Sequence, residues 1–126
     1  MEIENKAINP NEKDWLEEIF SKRFQYRNEL INQINNAKIE REYTDFYLSL
    51  KFKVDSGIPP VQTDIRVPIE MRIYKEKQVP VQVLLHIVHG YISEVEIFNA
   101  DSSKITKNIN FKNAKIEVLV DSSLLD

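Results

Sequence analysis

Val79–Asp101, VPVQVLLHIVHGYISEVEIFNAD, holds two apolar runs on either side of His89-Gly90, and its reading decides the fold. Val81, Val83, Leu85 and Ile87 alternate along the first run, and Ser93, Val95 and Ile97 along the second. A period of two marks strands with one buried face. The loop sets which residues oppose each other. A two-residue loop, His89-Gly90, would pair Leu85 with Glu94 and Val83 with Glu96, placing two carboxylates on the apolar side at a high desolvation cost. A three-residue loop, His89-Gly90-Tyr91, pairs Leu85 with Val95 and Val83 with Ile97. It leaves His86 opposite Glu94 and Leu84 opposite Glu96 on the other face. Gly90 then supplies the left-handed residue of a bulged loop. The three-residue loop is the expectation.

Outward from this hairpin, the N-terminal side changes period. Asn9-Pro10-Asn11 reads as a helix start with Asn11 as the cap, followed by the acids Glu12, Asp14, Glu17 and Glu18, which suit the positive end of a helix. Trp15, Leu16, Ile19 and Phe20 form an apolar stripe at helical spacing, so Trp15 is assigned to the core. Lys22, Arg23 and Arg27 read as a solvated helix end. A second helical pattern runs from about Tyr26 to Asn36, with Leu30, Ile31 and Ile34 on its apolar side and Asn35-Asn36 as the stop. A bend or short break falls at Phe24-Gln25, which leaves one bent helix or two helices open. Residues 1–9 are expected to be a loose arm and 122–126 a tail of a single domain spanning 1–126.

After Ala37 the pattern alternates. Lys38–Glu42 is a first strand. Phe46, Leu48, Leu50, Phe52 and Val54 mark the next, and Ile65, Val67, Ile69, Met71 and Ile73 a third, in which Pro68 donates no hydrogen bond and argues for an edge or a bulge. Asp55–Pro60 is a loop cluster and Lys75–Gln78 a charged turn. Residues 104–113 form a polar connection with room for a short extra strand, and Ala114, Ile116, Val118 and Val120 mark the last strand. The expected fold is α+β: two N-terminal helices packed on one face of a five- to six-stranded, mainly antiparallel curved sheet. Trp15, Phe20, Leu48, Leu50, Val67, Ile69, Leu85, Val95 and Ile97 would build its core. The opposite face would carry Tyr47, Lys51, Gln82 and Leu84 together with the candidate interaction residues Arg66, Arg72, Tyr74, His86, Glu94, Glu96 and Phe98.

Composition narrows the function classes. Hydrophobic residues make up 42% and charged residues 29% of the 126 residues, as in ordinary soluble domains. With no cysteine, disulfides, thiol nucleophiles and thiolate metal sites are excluded. The chain has only Gly57 and Gly90, so no glycine loop cradles a phosphate. His86 and His89 are three apart on a strand and point to opposite faces, a poor metal geometry. Glu94 and Glu96 share a face about 7 Å apart, but nothing flanks them like a sugar-binding cleft. No cofactor is expected. The net charge of −3, with both signs interspersed, disfavours nucleic acid as a partner. No apolar run reaches the roughly 18 residues of a spanning helix, and the polar, acidic N-terminus is not a signal peptide. A cytoplasmic protein without membrane attachment is expected.

Two stretches resemble a family of small bacterial proteins of uncharacterised function. One is Phe24–Leu30, continuing through Gln33 to Ala37-Lys38-Ile39; it is similar to that family's Phe, Arg, Glu-Leu and Gln pattern with an Ala-x-hydrophobic strand entry. The other is Leu84–Phe98 with Asp101, similar to its apolar strand, glycine turn and hydrophobic-x-Glu-hydrophobic-Glu-hydrophobic-aromatic ending. The resemblance covers about residues 12–105, with strands in the same order, and implies that Glu94 and Glu96 belong to a shared pattern. Two positions depart from it. Gln25-Tyr26 stands where the family has Pro-Gly, which puts a tight interhelical break in doubt, and Asp101-Ser102 stands where it has Asp-Gly. The resemblance brings no activity with it.

The leading functional expectation is a non-enzymatic protein-interaction module, immunity- or antitoxin-like in one concrete form, docking through the open sheet face, where Arg and Tyr make favoured anchors. The alternative is a small-molecule-binding or hydrolytic domain with His86 as base oriented by Glu94, which requires a pocket of at least roughly 300 Å³ holding both. A homodimer through sheet faces or edges is the third reading.

Overall fold

The structure is a computed structural model that describes residues 1–125. Two helices, α1 (Pro10–Ile19) and α2 (Arg27–Asn35), precede six strands, β1 (Ala37–Tyr43), β2 (Leu48–Val54), β3 (Ile69–Tyr74), β4 (Val81–Val88), β5 (Tyr91–Asn99) and β6 (Lys115–Val120). The strands form one sheet in the order β1-β2-β5-β4-β3-β6, with every neighbouring pair antiparallel. The expected α+β architecture is therefore present, with six strands. The alternation read from the sequence places Leu48, Leu50, Met71, Ile73, Val83, Leu85, Val95 and Ile97 on the helix side, where all are buried with Trp15, Leu16, Ile19, Leu30, Ile31 and Ile34 of the helices.

α1 begins two residues earlier than expected. Asn9, not Asn11, is the cap: its Oδ1 accepts from the Glu12 backbone N–H at 2.8 Å, while Glu12 Oε1 accepts from the Asn9 N–H at 2.9 Å. This reciprocal capping box leaves Pro10 at the first helical position, where its missing N–H costs nothing. The helices are two, not one bent rod. Phe20 ends α1, and Tyr26 enters α2 with φ 73°, so residues 20–26 separate the two helices. Two of the three basic residues after α1, Lys22 and Arg27, satisfy backbone acceptors: Arg27 Nε donates to the Phe20 carbonyl at 2.7 Å. Lys22 Nζ donates to the Val118 carbonyl at 2.7 Å, which sets a charged side chain at edge strand β6, a known deterrent to edge-to-edge pairing.

The first residues are not a loose arm. Ile3 and Ile8 are buried, Glu4 N–H donates to Asn35 Oδ1 at 2.7 Å, and Asn5 Nδ2 donates to the Ile34 and Ala37 carbonyls at 2.8 Å each. Asn35 and Asn5 thus satisfy the end of α2 and bind the arm to it. The expected tail also docks in part: Ser122–Leu124 forms a 3₁₀ turn, Leu124 is buried, and its carbonyl accepts from Gln25 N–H at 2.8 Å. Asp126 lies outside the described residues.

The central hairpin has the expected pairing by a different device. Val83 opposes Ile97, Leu84 opposes Glu96, Leu85 opposes Val95 and His86 opposes Glu94, but Ile87 then opposes Ile92 and Val88 opposes Tyr91. The loop has two residues, His89 (φ 52°) and Gly90 (φ 82°), and the extra residue is a β-bulge at Ser93. Two positive φ values suit the right-handed twist of a hairpin, and the bulge restores the register that keeps the carboxylates off the core.

Four further expectations are corrected. β3 starts at Ile69, directly after Pro68, and lies between β4 and β6, so Pro68 opens an interior strand instead of marking an edge; its carbonyl accepts from Asp121 N–H at 2.8 Å. Val67 precedes the strand and is only half-buried. Phe46 sits in the β1–β2 connection and is 54% exposed. Residues 104–113 hold no strand; they pin Ile105 and Ile109 into the core instead.

Candidate functional site

The open face of the sheet is built by the alternate residues of the same strands. Its rows follow from the register. Glu42, Ser49, Glu96, Leu84, Glu70 and Leu119 lie side by side across the six strands, next to the row Glu40, Lys51, Glu94 and His86. On the other flank, Glu117, Arg72, Gln82 and Phe98 oppose one another. Of the seven expected face residues, Arg72, Tyr74, His86, Glu94, Glu96 and Phe98 occupy strands with this orientation, all half-buried. Arg66 does not join them. It stands in the irregular segment before β3, exposed, and its carbonyl accepts from Ile87 N–H at 2.8 Å.

Polar contacts preset this face. His86 Nε2 lies 3.1 Å from Glu96 Oε1. Glu94, its cross-strand neighbour, is engaged elsewhere and accepts a hydrogen bond from Ser49 Oγ. The expected His86–Glu94 couple is thus replaced by a diagonal one, because Ser49 on β2 captures the Glu94 carboxylate. Tyr47 OH donates to Glu42, and Lys51 Nζ lies 3.3 Å from the same carboxylate. Those contacts hold the Glu42 carboxyl below its usual range, and the Tyr47 phenol is raised by its bond to Glu42, with the charges of Glu94 and Glu96 adding to the effect. Arg72 reaches Glu70 at 3.4 Å and Glu117 at 3.5 Å, bridging its own strand and β6. Glu42, Glu70 and Glu117 were absent from the sequence reading as face residues; their signal was the alternation within β1, β3 and β6, which shows orientation but not neighbours.

The densest polar cluster lies on the helix side and was also missed. Glu12 is fully buried, and both its oxygens are filled: Arg41 donates to Oε2 through Nε at 2.5 Å and to Oε1 through Nη2 at 2.6 Å, Tyr43 OH donates to Oε2, and Asn9 N–H donates to Oε1. Burial pushes the Glu12 carboxyl up, but the hydrogen bonds from Arg41, Tyr43 and Asn9 outweigh it and hold the group below its usual range. Arg41 faces the core side of edge strand β1, opposite Leu50, where the sequence pattern would place an apolar residue. With every acceptor site used, this cluster fastens α1 to β1 and offers no group for chemistry.

Among the described residues, five of the surface clefts have volumes of about 290 to 550 Å³, and none of these five is lined by His86, Glu94 or Glu96. Among the described residues no group of three His, Asp or Glu side chains is placed to hold a metal ion, and no helix is long and apolar enough to cross a membrane.

A family model described as a domain of unknown function, DUF6984, matches residues 5–109. The chain belongs to the DUF6984 family. The matched span of this DUF6984 chain runs from the docked N-terminal segment through β5 and stops before β6. Both departures noted from the resemblance fall at left-handed residues, Tyr26 (φ 73°) and Ser102 (φ 64°). No curated protein and no solved structure matches the chain.

Proposed function

We propose that this chain is a non-enzymatic interaction module that docks a protein partner through the open face of its sheet, an immunity- or antitoxin-like blocking role being its concrete form. The supporting observation is the cross-strand network of that face. Glu42, Glu94, Glu96, Glu70 and Glu117 are each held by a Tyr, Ser, His, Lys or Arg from the same or a neighbouring strand. Leu84, Tyr74 and Phe98 stand half-buried among them. A face whose charged groups are already positioned loses less conformational entropy on docking, and its aromatic and Arg side chains are the usual anchors of an interface. The charges of both signs set the orientation of the partner.

The test is purification of the tagged chain from its native host beside the Arg72→Glu/Glu94→Lys double variant, with circular dichroism to show that the variant folds. A stoichiometric partner captured by the wild type and lost with the folded variant is the expected result, followed by reconstitution of the pair from purified components. A partnerless monomer sinks the proposal. A partnerless dimer that the double variant dissociates replaces it with self-association through the same face. A hydrolytic role for His86 finds less support, since its carboxylate partner is Glu96 and neither lines a described cleft.

A further inference from the structure

Beyond the open face, one end of the sheet has a different chemistry. Six of the 17 basic residues, against two acids, fall within residues 75–78 and 99–115 of a chain whose net charge is −3. That end holds a cleft of about 290 Å³ between the Lys75–Gln78 turn and the connection from β5 to β6. Its floor is apolar, from Ile73, Val81, Ile105 and Ile109. Its polar lining is Lys75 and Lys104 with the neutral side chains of Gln78, Asn99, Thr106, Asn108 and Asn110, and no carboxylate lines it. A second cleft of about 550 Å³ shares Lys75, Gln78 and Asn110 with the first and adds Lys112, Asn113 and one carboxylate, Glu76.

We propose that this cleft binds a small organic dianion, a phosphate monoester with a planar or aliphatic body being the simplest case. The body would rest on the isoleucine and valine floor, and the charged end would sit at Lys75, the cation common to both clefts. Lys75 Nζ is already directed there by a 2.9 Å hydrogen bond to Asn110 Oδ1, which also accepts from Lys112 N–H at 3.1 Å. The ammonium keeps two further N–H donors, and with its oxygen engaged Asn110 presents its amide N–H₂. Lysine ammonium groups bind phosphate as mobile point charges. Within the first cleft neutral amides beside them add direction without competing charge, Glu76 lining only the second, and an apolar floor with a few convergent polar groups is the usual make-up of a ligand site. The size suits a molecule near the lower end of such sites.

The site lies on the helix side of the sheet end, so this test and that of the open face fail independently. The full chain, labelled with ¹⁵N, is titrated with AMP, ribose 5-phosphate, succinate, inorganic phosphate and adenosine while backbone amide shifts are followed. Saturable shifts confined to residues 75–78 and 104–112 with AMP or ribose 5-phosphate are expected. Binding should weaken about tenfold or more in Lys75→Glu/Lys104→Glu, with inorganic phosphate and adenosine each about tenfold weaker than AMP. Succinate binding as tightly as the phosphate esters assigns the site to dicarboxylates within the same class. Where the double variant loses its dispersed spectrum, Lys104→Gln and Asn110→Ala carry the test. The proposal is overturned by no saturable shift with any organic dianion, by equal affinity of the folded variants, or by inorganic phosphate binding as tightly as AMP.

Discussion

Gly90 shows how one residue can hold several segments together. Its φ of 82° belongs to the turn, and a Cβ built there would come within 2.4 Å of the Val61 carbonyl oxygen and 2.7 Å of Pro60 Cβ. The Gly90 carbonyl meanwhile accepts from Val61 N–H at 2.8 Å and from Gln33 Nε2 at 3.0 Å. Gly90→Ala is expected to cost about 3 kcal/mol, since it combines a positive φ with a backbone clash, and urea denaturation would measure it. An unchanged midpoint would mean that the 59–61 segment yields easily. Ser102 presents the opposite case. It is exposed, with φ 64°, and Ser102→Gly should raise stability by roughly 0.5–1 kcal/mol by removing the left-handed penalty. A lower midpoint would show that the unfolded-state entropy of glycine outweighs that relief. The need for glycine at 90 was legible in the sequence from the turn. The close approach of Val61 was not, because the partner segment lies about thirty residues away in the chain.

At the level of elements, buried polar groups join the two layers. Gln33 of α2 is fully buried, donates to the Gly90 carbonyl, and accepts from Ile92 N–H at 2.8 Å through Oε1. One side chain thereby compensates the bulged end of the hairpin where strand pairing shifts. Gln33→Leu leaves a buried donor unsatisfied and should cost about 2–3 kcal/mol; a loss below 0.5 kcal/mol on that scale would show that solvent reaches the bulge. Glu12 does the same for α1 and β1, and its titration gives a pH test. A carboxyl held below its unfolded value near 4.5 contributes stability that is complete above that value and drains away as the pH falls through the folded one. Glu12→Gln is expected to cost about 2–3 kcal/mol at pH 7, because Arg41 and Tyr43 lose a charged acceptor. The gap from wild type should narrow below pH 4.5. A gap independent of pH would argue that the carboxylate's charge is not what stabilises the contact. A helix start was visible in Asn9-Pro10-Asn11, though the cap is Asn9 and not Asn11. The Arg41 partner was not, because a charged residue in an edge strand reads as solvent-facing until the helix is laid over it.

For the whole molecule, the two sides of the sheet make different demands on the sequence. Arg72, Glu70 and Glu117 on the open side are 36–39% exposed, and exposed pairs contribute little. Arg72→Glu should therefore shift stability by less than about 1 kcal/mol, and Glu94→Lys, which takes the acceptor from the buried Ser49 hydroxyl, should add about 1–3 kcal/mol, while the pair removes the proposed docking function; a thermal melt checks the first half. A collapse of the fold would make the network structural and remove its value as a functional probe. The sequence by itself determined the class of fold, the number of helices to within one break, the last strand, and the Leu85–Val95 pairing, because alternation and helical spacing are local consequences of which side chains must leave water. Tertiary structure decided that β3 is interior, that the N-terminal segment docks on the end of α2, that His86 turns to Glu96, and that lysines from two distant stretches share one cleft. Each of these depends on which strands become neighbours, and strand order is set by the sum of long-range contacts that no local period encodes.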